Sequence, residues 1–133
     1  MPENIVVDTN IVFHAVYKPE SPYAKLFIMA IEGEVFLFSP DSVKEELKKV
    51  ISKLLPEHFL LDFIESLPTK WIQKEIYSDF MEEADKLIEH NKDVPIVACA
   101  LLLNCGVITM DTDFDNKHLK KRIKLWKISD IVK

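Results

Sequence analysis

Short apolar, β-branched runs alternate along this chain with stretches of helical periodicity near three and a half residues. Residues 4–8 begin with a short β-branched run, Ile5-Val6-Val7, that predicts a buried strand ending on Asp8. Helical spacing takes over at the Thr9-Asn10 bend and covers 10–17, until Pro19, Ser21 and Pro22 interrupt it. A second helix over 22–32 places Leu26, Phe27, Ala30 and Ile31 on one face and stops at Gly33. The segment "EVFLFSP" predicts a strand over 35–38, followed by Ser39 as N-cap and Pro40 in the first turn of a helix reaching Leu54.

The second half repeats the alternation. Residues 56–67 are apolar and helical in pattern, "KWIQ" predicts a short strand, and 79–90 form an amphipathic helix through Phe80, Ala84, Leu87 and Ile88. "DVPIVACALLLNCG" is apolar nearly all round, the mark of a helix buried in the fold, with Gly106 closing it. "VITMD" is a strand, 114–121 a short helix and "IKLWKI" a final strand. Strands separated by helices predict a three-layer α/β/α architecture with a central, mainly parallel sheet, as a single domain over residues 1–133.

Composition removes several functions. Only Gly33 and Gly106 are present, so neither a phosphate-cradling P-loop nor a Gly-rich dinucleotide fingerprint can be built. Histidines 14, 58, 90 and 118 are scattered without zinc spacing, and Cys99 and Cys105 read as a reduced, packed pair. The longest apolar run, Ile96–Leu103, is far short of the ~20 residues a membrane helix needs. With no basic-then-apolar leader at the N-terminus, a cytoplasmic protein with no membrane partner is expected. The net charge of -5 argues against a polyanionic ligand, yet six of the seventeen basic residues lie between Lys117 and Lys127. Those side chains are candidates to hold a nucleic-acid backbone, or else form a solvated face.

The acids carry the chemical signal. Asp8 and Asp111 follow "IVV" and "VITM", which places both at the carboxyl edge of a parallel sheet, where ligands gather. Asp93 stands at the N-cap of the buried helix. In the helix after Pro40, the stripe Val43, Leu47, Val50, Leu54 puts Glu46 at the inward edge and Glu45, with Lys44, Lys48 and Lys49, on the solvated face. In "TMDTDFD", Thr109, Asp111, Asp113 and Asp115 recur at alternate positions, which in an extended segment would direct them to one side. Crowded carboxylates repel one another unless a cation compensates.

The succession "VVDTN", "SPDSVKEEL", "DVPIVACAL", "ITMDTDF" resembles the PIN domain, a nuclease fold, over nearly the whole chain. The resemblance implies Asp8, Glu46, Asp93 and Asp111 as a catalytic and metal-binding acidic cluster, Asp113 as a further metal or water contact, and Asn10 and Thr109 as residues that orient the carboxylates. It also implies Mg²⁺ or Mn²⁺ as cofactor, an RNA substrate, and endoribonuclease activity of a toxin type, with an antitoxin protein as partner, or of an RNA-processing type. A homodimer is in keeping with it. Three features depart from the family pattern: Pro95 close behind the third acid, Met110 where the family often has Gly, and an acidic overall charge.

Two rival functions stand beside this one. The fold can serve as a non-catalytic RNA- or protein-binding module, although such a module has no need of mutually repelling charges. Phosphorylation of Asp8, as in receiver domains and haloacid-type phosphatases, lacks the second nearby Asp those families use, since position 10 is Asn.

Overall fold

The computed structural model describes residues 3–133. Five parallel strands, β1 (Glu3–Val7), β2 (Val35–Pro40), β3 (Thr69–Ile72), β4 (Gly106–Ile108) and β5 (Leu125–Trp126), pair in the order β3-β2-β1-β4-β5. The expected three-layer α/β/α arrangement follows from the alternation of side chains along β1. Ile5 and Val7 enter one apolar cluster with Leu26, Leu37 and Leu47; Val6 enters the other, with Val97, Cys99 and Val107. Helices α1 (Thr9–Tyr17), α2 (Pro22–Ile31), α3 (Asp41–Ile51) and α4 (Glu57–Ser66) belong mainly to the first cluster. Helices α5 (Lys74–Tyr77), α6 (Met81–Leu87), α7 (Val94–Leu103) and α8 (Lys117–Arg122) supply the second. A last turn, α9 (Ile128–Ile131), packs its apolar side chains against the first.

Helix α7 is buried as its composition demands: Val94 and every residue from Ile96 to Ala100 are inaccessible or nearly so. Pro95 sits in its first turn, where a missing N–H costs nothing. Among the described residues no helix is long and apolar enough to cross a membrane.

Several boundaries differ from the sequence expectations, each for a local reason. Ser39 is not a helix cap; it lies inside β2, fully buried, and its hydroxyl donates to the Val7 carbonyl at 2.5 Å. Pro40 takes the N-cap position of α3 without a side-chain bond. That helix ends at Ile51, so its buried stripe is Val43, Leu47, Ile51, while Leu54 is exposed. The segment 79–90 is divided among a 3-10 turn at Ser78–Phe80, α6, and non-helical residues from Ile88 onward. Helix α7 is closed by Asn104 in the left-handed region (φ 50°), not by Gly106. Gly106 instead opens β4 under the Trp126 indole, where a Cβ would lie 2.5 Å from Nε1. β5 is two residues long because the chain turns into α9, and α8 starts at Lys117, not 114, with Asn116 as its cap.

The strand order fixes where a site can form. From β1 the chain winds outward through β2 and β3, then returns to the other side of β1 for β4 and β5. Helices leaving β1 and β4 therefore diverge, which opens a crevice between the carboxyl ends of those two strands.

Candidate active site

Register brings the first acids together. Val7 lies opposite Ile108, so Asp8 and Thr109 are the next residues out of neighbouring strands. The Thr109 hydroxyl donates to Asp8 Oδ2 at 2.5 Å and accepts from the Asp111 backbone N–H at 3.0 Å. Asp8 Oδ1 accepts from the Ile11 N–H at 3.0 Å and so caps α1. Thr109 thus orients Asp8 and the start of the Asp111 turn, as the resemblance implies. The Asn10 side chain lines the same crevice but makes no hydrogen bond to a carboxylate among the described residues.

An open cleft of about 610 Å³ occupies this crevice, with Asp8, Glu46, Asp93 and Asp111 all in its lining. One wall is α3, which begins directly after β2 and presents Ser42, Glu45, Glu46 and Lys49; the other is the turn entering α7, with Asn91, Lys92 and Asp93. Glu46 is half-buried, as the helical wheel predicts, and Glu45 on the rim is exposed and paired with Lys48.

Asp93 is buried to 9% exposure at the N-cap of α7, yet its backbone is helical and its side chain makes no capping bond. Ligand oxygens of Asp93, Asp111 and Asp113 all lie within 4.8 Å of one another. Burial, reinforced by the Asp111 carboxylate and then by Asp8, pushes the Asp93 pKa from its usual 3.8 up to about 6. Burial also raises the Asp8 pKa, with Asp111 and Glu46 adding to the effect, while the bonds from Thr109 and Ile11 oppose it.

Asp113 reaches this group by a different path from the one expected. The stretch after Thr109 is not extended; residues Thr112–Phe114 form a 3-10 turn, with Asp111 Oδ1 accepting from the Asp113 N–H at 2.9 Å. The turn sends Phe114 into the core and points Asp115 to solvent, where it pairs with Lys120. Asp113 also pairs with His90 Nε2 at 2.9 Å. His90 was not singled out by sequence reasoning; its position three residues before Asp93 was the available signal. The basic stretch 117–127 contributes nothing to the cleft lining.

An α/β protein with acids gathered at the switch point of an all-parallel sheet is the class these observations define. The profile of the PIN domain matches residues 6–127, and the chain belongs to the PIN domain family. PIN domains are as a family nucleases, typically dependent on divalent metal. No curated protein matches the sequence. Among solved structures, the chain is similar to VapBC from Salmonella typhimurium bound to DNA, with TM-score 0.70 and 16% identity over 96% of this chain and 99% of that one. It is also similar to VapBC2 from Rickettsia felis bound to a promoter DNA fragment (TM-score 0.64, 21% identity, 93% and 98% covered). FitAcB from Neisseria gonorrhoeae is a third (TM-score 0.65, 14% identity, 96% and 99% covered). These likenesses establish the shared fold.

Proposed function

We propose that this protein is a divalent-metal-dependent endoribonuclease, the whole chain acting as one catalytic domain that hydrolyses RNA phosphodiester bonds. The observation that carries the reading is a buried Asp93 that forgoes its capping bond and lies within ligating reach of Asp111 and Asp113, in the cleft that also holds Asp8 and Glu46. The residues fit a hard cation: every donor is a carboxylate oxygen, which suits Mg²⁺ or Mn²⁺. Asp8, Asp93 and Asp111 would hold the ion, and Asp113 would add a further contact. When bound, Mg²⁺ or Mn²⁺ neutralises phosphate charge and lowers the pKa of an attacking water.

The chain's own groups supply the positioning. Thr109 links Asp8 to the Asp111 turn, which fixes the two carboxylates at the ends of β1 and β4 relative to each other. Glu46, on the separate α3 wall, orients the attacking water and takes its proton as the water oxygen bonds to phosphorus. The bond from phosphorus to the 3'-oxygen then breaks, and that oxygen is protonated from solvent. The family resemblance and the VapBC complexes among the fold neighbours support a toxin-type role with an antitoxin partner. Exposed Ile28 and Ile31 on α2, and Phe59 and Leu61 on α4, support contact with a partner protein, a second copy included.

The test is cleavage of single-stranded RNA by purified protein with Mn²⁺, with EDTA and Asp8→Asn controls and a single-stranded DNA arm. RNA is expected to be cut only by the wild type with metal. Equal activity of wild type and Asp8→Asn would trace the cleavage to a contaminant, and preference for DNA would overturn the substrate assignment.

A further inference from the structure

The cleft that gathers the acids is a hostile place for a phosphodiester. Asp8, Glu45, Glu46, Asp93 and Asp111 all line it, and a bound divalent ion offsets only part of that charge. Two cations share the lining: Lys49, one turn beyond Glu46 on α3, and Lys92, directly before Asp93 on the other wall. Both are exposed, and among the described residues neither has a carboxylate within ion-pair distance.

Their neighbours are occupied elsewhere. On α3 itself, Lys44 pairs with Glu65 and Lys48 with Glu45, which leaves Lys49 as the cation of that helix free to face the cleft. In the C-terminal basic stretch, Lys120 pairs with Asp115, Arg122 with Glu83, and the Lys124 ammonium lies 3.6 Å over the Trp126 ring, while the exposed Lys117, Lys121 and Lys127 line no part of the cleft. Abundance of positive charge and its availability at the site are therefore separated in this molecule.

We infer that Lys49 and Lys92 hold the RNA backbone, each taking a phosphate beside the scissile one, and that the 117–127 stretch does not. The inference rests on the nuclease reading for its ligand. A flexible ammonium suits sequence-independent phosphate holding, because it follows the charge without demanding one geometry. One lysine on each wall sets a path for a single strand across the acids between them.

The experiment measures steady-state cleavage with Mn²⁺ across a salt series, alongside fluorescence anisotropy of a labelled single-stranded RNA made cleavage-resistant by phosphorothioate linkages. Lys49→Ala and Lys92→Ala should each raise KM about tenfold, the loss of one charged hydrogen bond, with kcat and Tm unchanged. Each should also reduce the slope of log affinity on log salt by about 0.7, the value for one phosphate of a single strand. Arg at either position should restore both. Lys117→Ala/Lys121→Ala should leave KM and slope as they were. Unchanged affinity and slope in the Lys49→Ala/Lys92→Ala double variant would overturn the assignment while leaving the nuclease reading intact, as would a fall in kcat alone. Conversely, a wild type that cleaves nothing but binds RNA with lysine-dependent slope would sustain the assignment and sink the nuclease reading. A wild type that binds no RNA would overturn both.

Discussion

Asp8 and Asp93 are the same residue type at the same place, the N-cap of a helix beside the cleft, yet the two ends of the crevice use them differently. Asp8 at the β1 end is bonded on both oxygens, to the Ile11 amide and the Thr109 hydroxyl, and holds the local structure together. Asp93 at the α7 end makes no capping bond and lies against the Asp111 carboxylate. One acid is tied into the local fold by two hydrogen bonds; the other, when ionised, is a liability to the apo fold that a proton or a cation would relieve. A capping position therefore says little by itself about function, and the presence or absence of the capping bond says a great deal.

The largest effect that sharpens this contrast is on activity. Asp8→Asn, Asp93→Asn and Asp111→Asn should each lower Mn²⁺-dependent RNA cleavage at least about a hundredfold, read in initial rates. Retention of activity in Asp93→Asn would remove it from the ligand set and break the comparison.

Stability should move in opposite directions at the two positions. The Asp93 pKa is raised on folding, so the folded state binds its proton more tightly than the unfolded chain does. Apo stability from this group is greatest below the usual 3.8 and is lost as pH rises through about 6. At neutral pH the cost, reduced by solvent screening of a group that is not fully buried, is about 1.5 kcal/mol. Asp93→Asn should then raise Tm in EDTA at neutral pH by on the order of 5 °C, with little change near pH 4. Asp8→Ala should instead lower stability by about 1 kcal/mol through loss of the cap, read by denaturant titration. A stabilising Asp8→Ala would show that its repulsions outweigh its two hydrogen bonds.

Metal should bridge the two regions. Mn²⁺ in excess should raise the wild-type Tm, and more so as pH climbs through about 6, because the ion must displace the Asp93 proton. Asp93→Asn should lose most of that rise. The smallest effect belongs to Thr109→Val, which frees Asp8 Oδ2 and the Asp111 amide without removing a carboxylate. It should reduce cleavage about tenfold and weaken Mn²⁺ binding in the same assay.

The parts of this fold legible in the sequence are those whose burial is unambiguous. Ile5-Val6-Val7 and the all-apolar run of α7 can only be interior, and both fell where their patterns indicated, carrying Asp8 and Asp93 to the sheet edge with them. Glu46 was legible because a helical wheel needs only the positions of Val43 and Leu47. Period-two spacing failed at "TMDTDFD", since a 3-10 turn pinned by Asp111 can also present alternate polar side chains without extending the chain. Gly106 misled because a glycine after a helix suggests a C-cap, whereas its real constraint is the Trp126 ring, a contact from twenty residues away. Lys49 was placed on the solvated face of its helix, which it does occupy; only the arrival of the α7 turn makes that face one wall of a cleft.

The bond between Thr109 and Asp8 joins residues 101 apart in the chain. During synthesis the first carboxylate emerges early, but its hydroxyl partner and Asp111 follow only after most of the protein has left the ribosome. A nascent or truncated product ending before β4 carries Asp8, Glu46 and Asp93 but lacks the Thr109 hydroxyl and the Asp111 and Asp113 carboxylates. The order in which the strands are strung thus leaves the acidic cluster incomplete until β4 and the turn after it have been made.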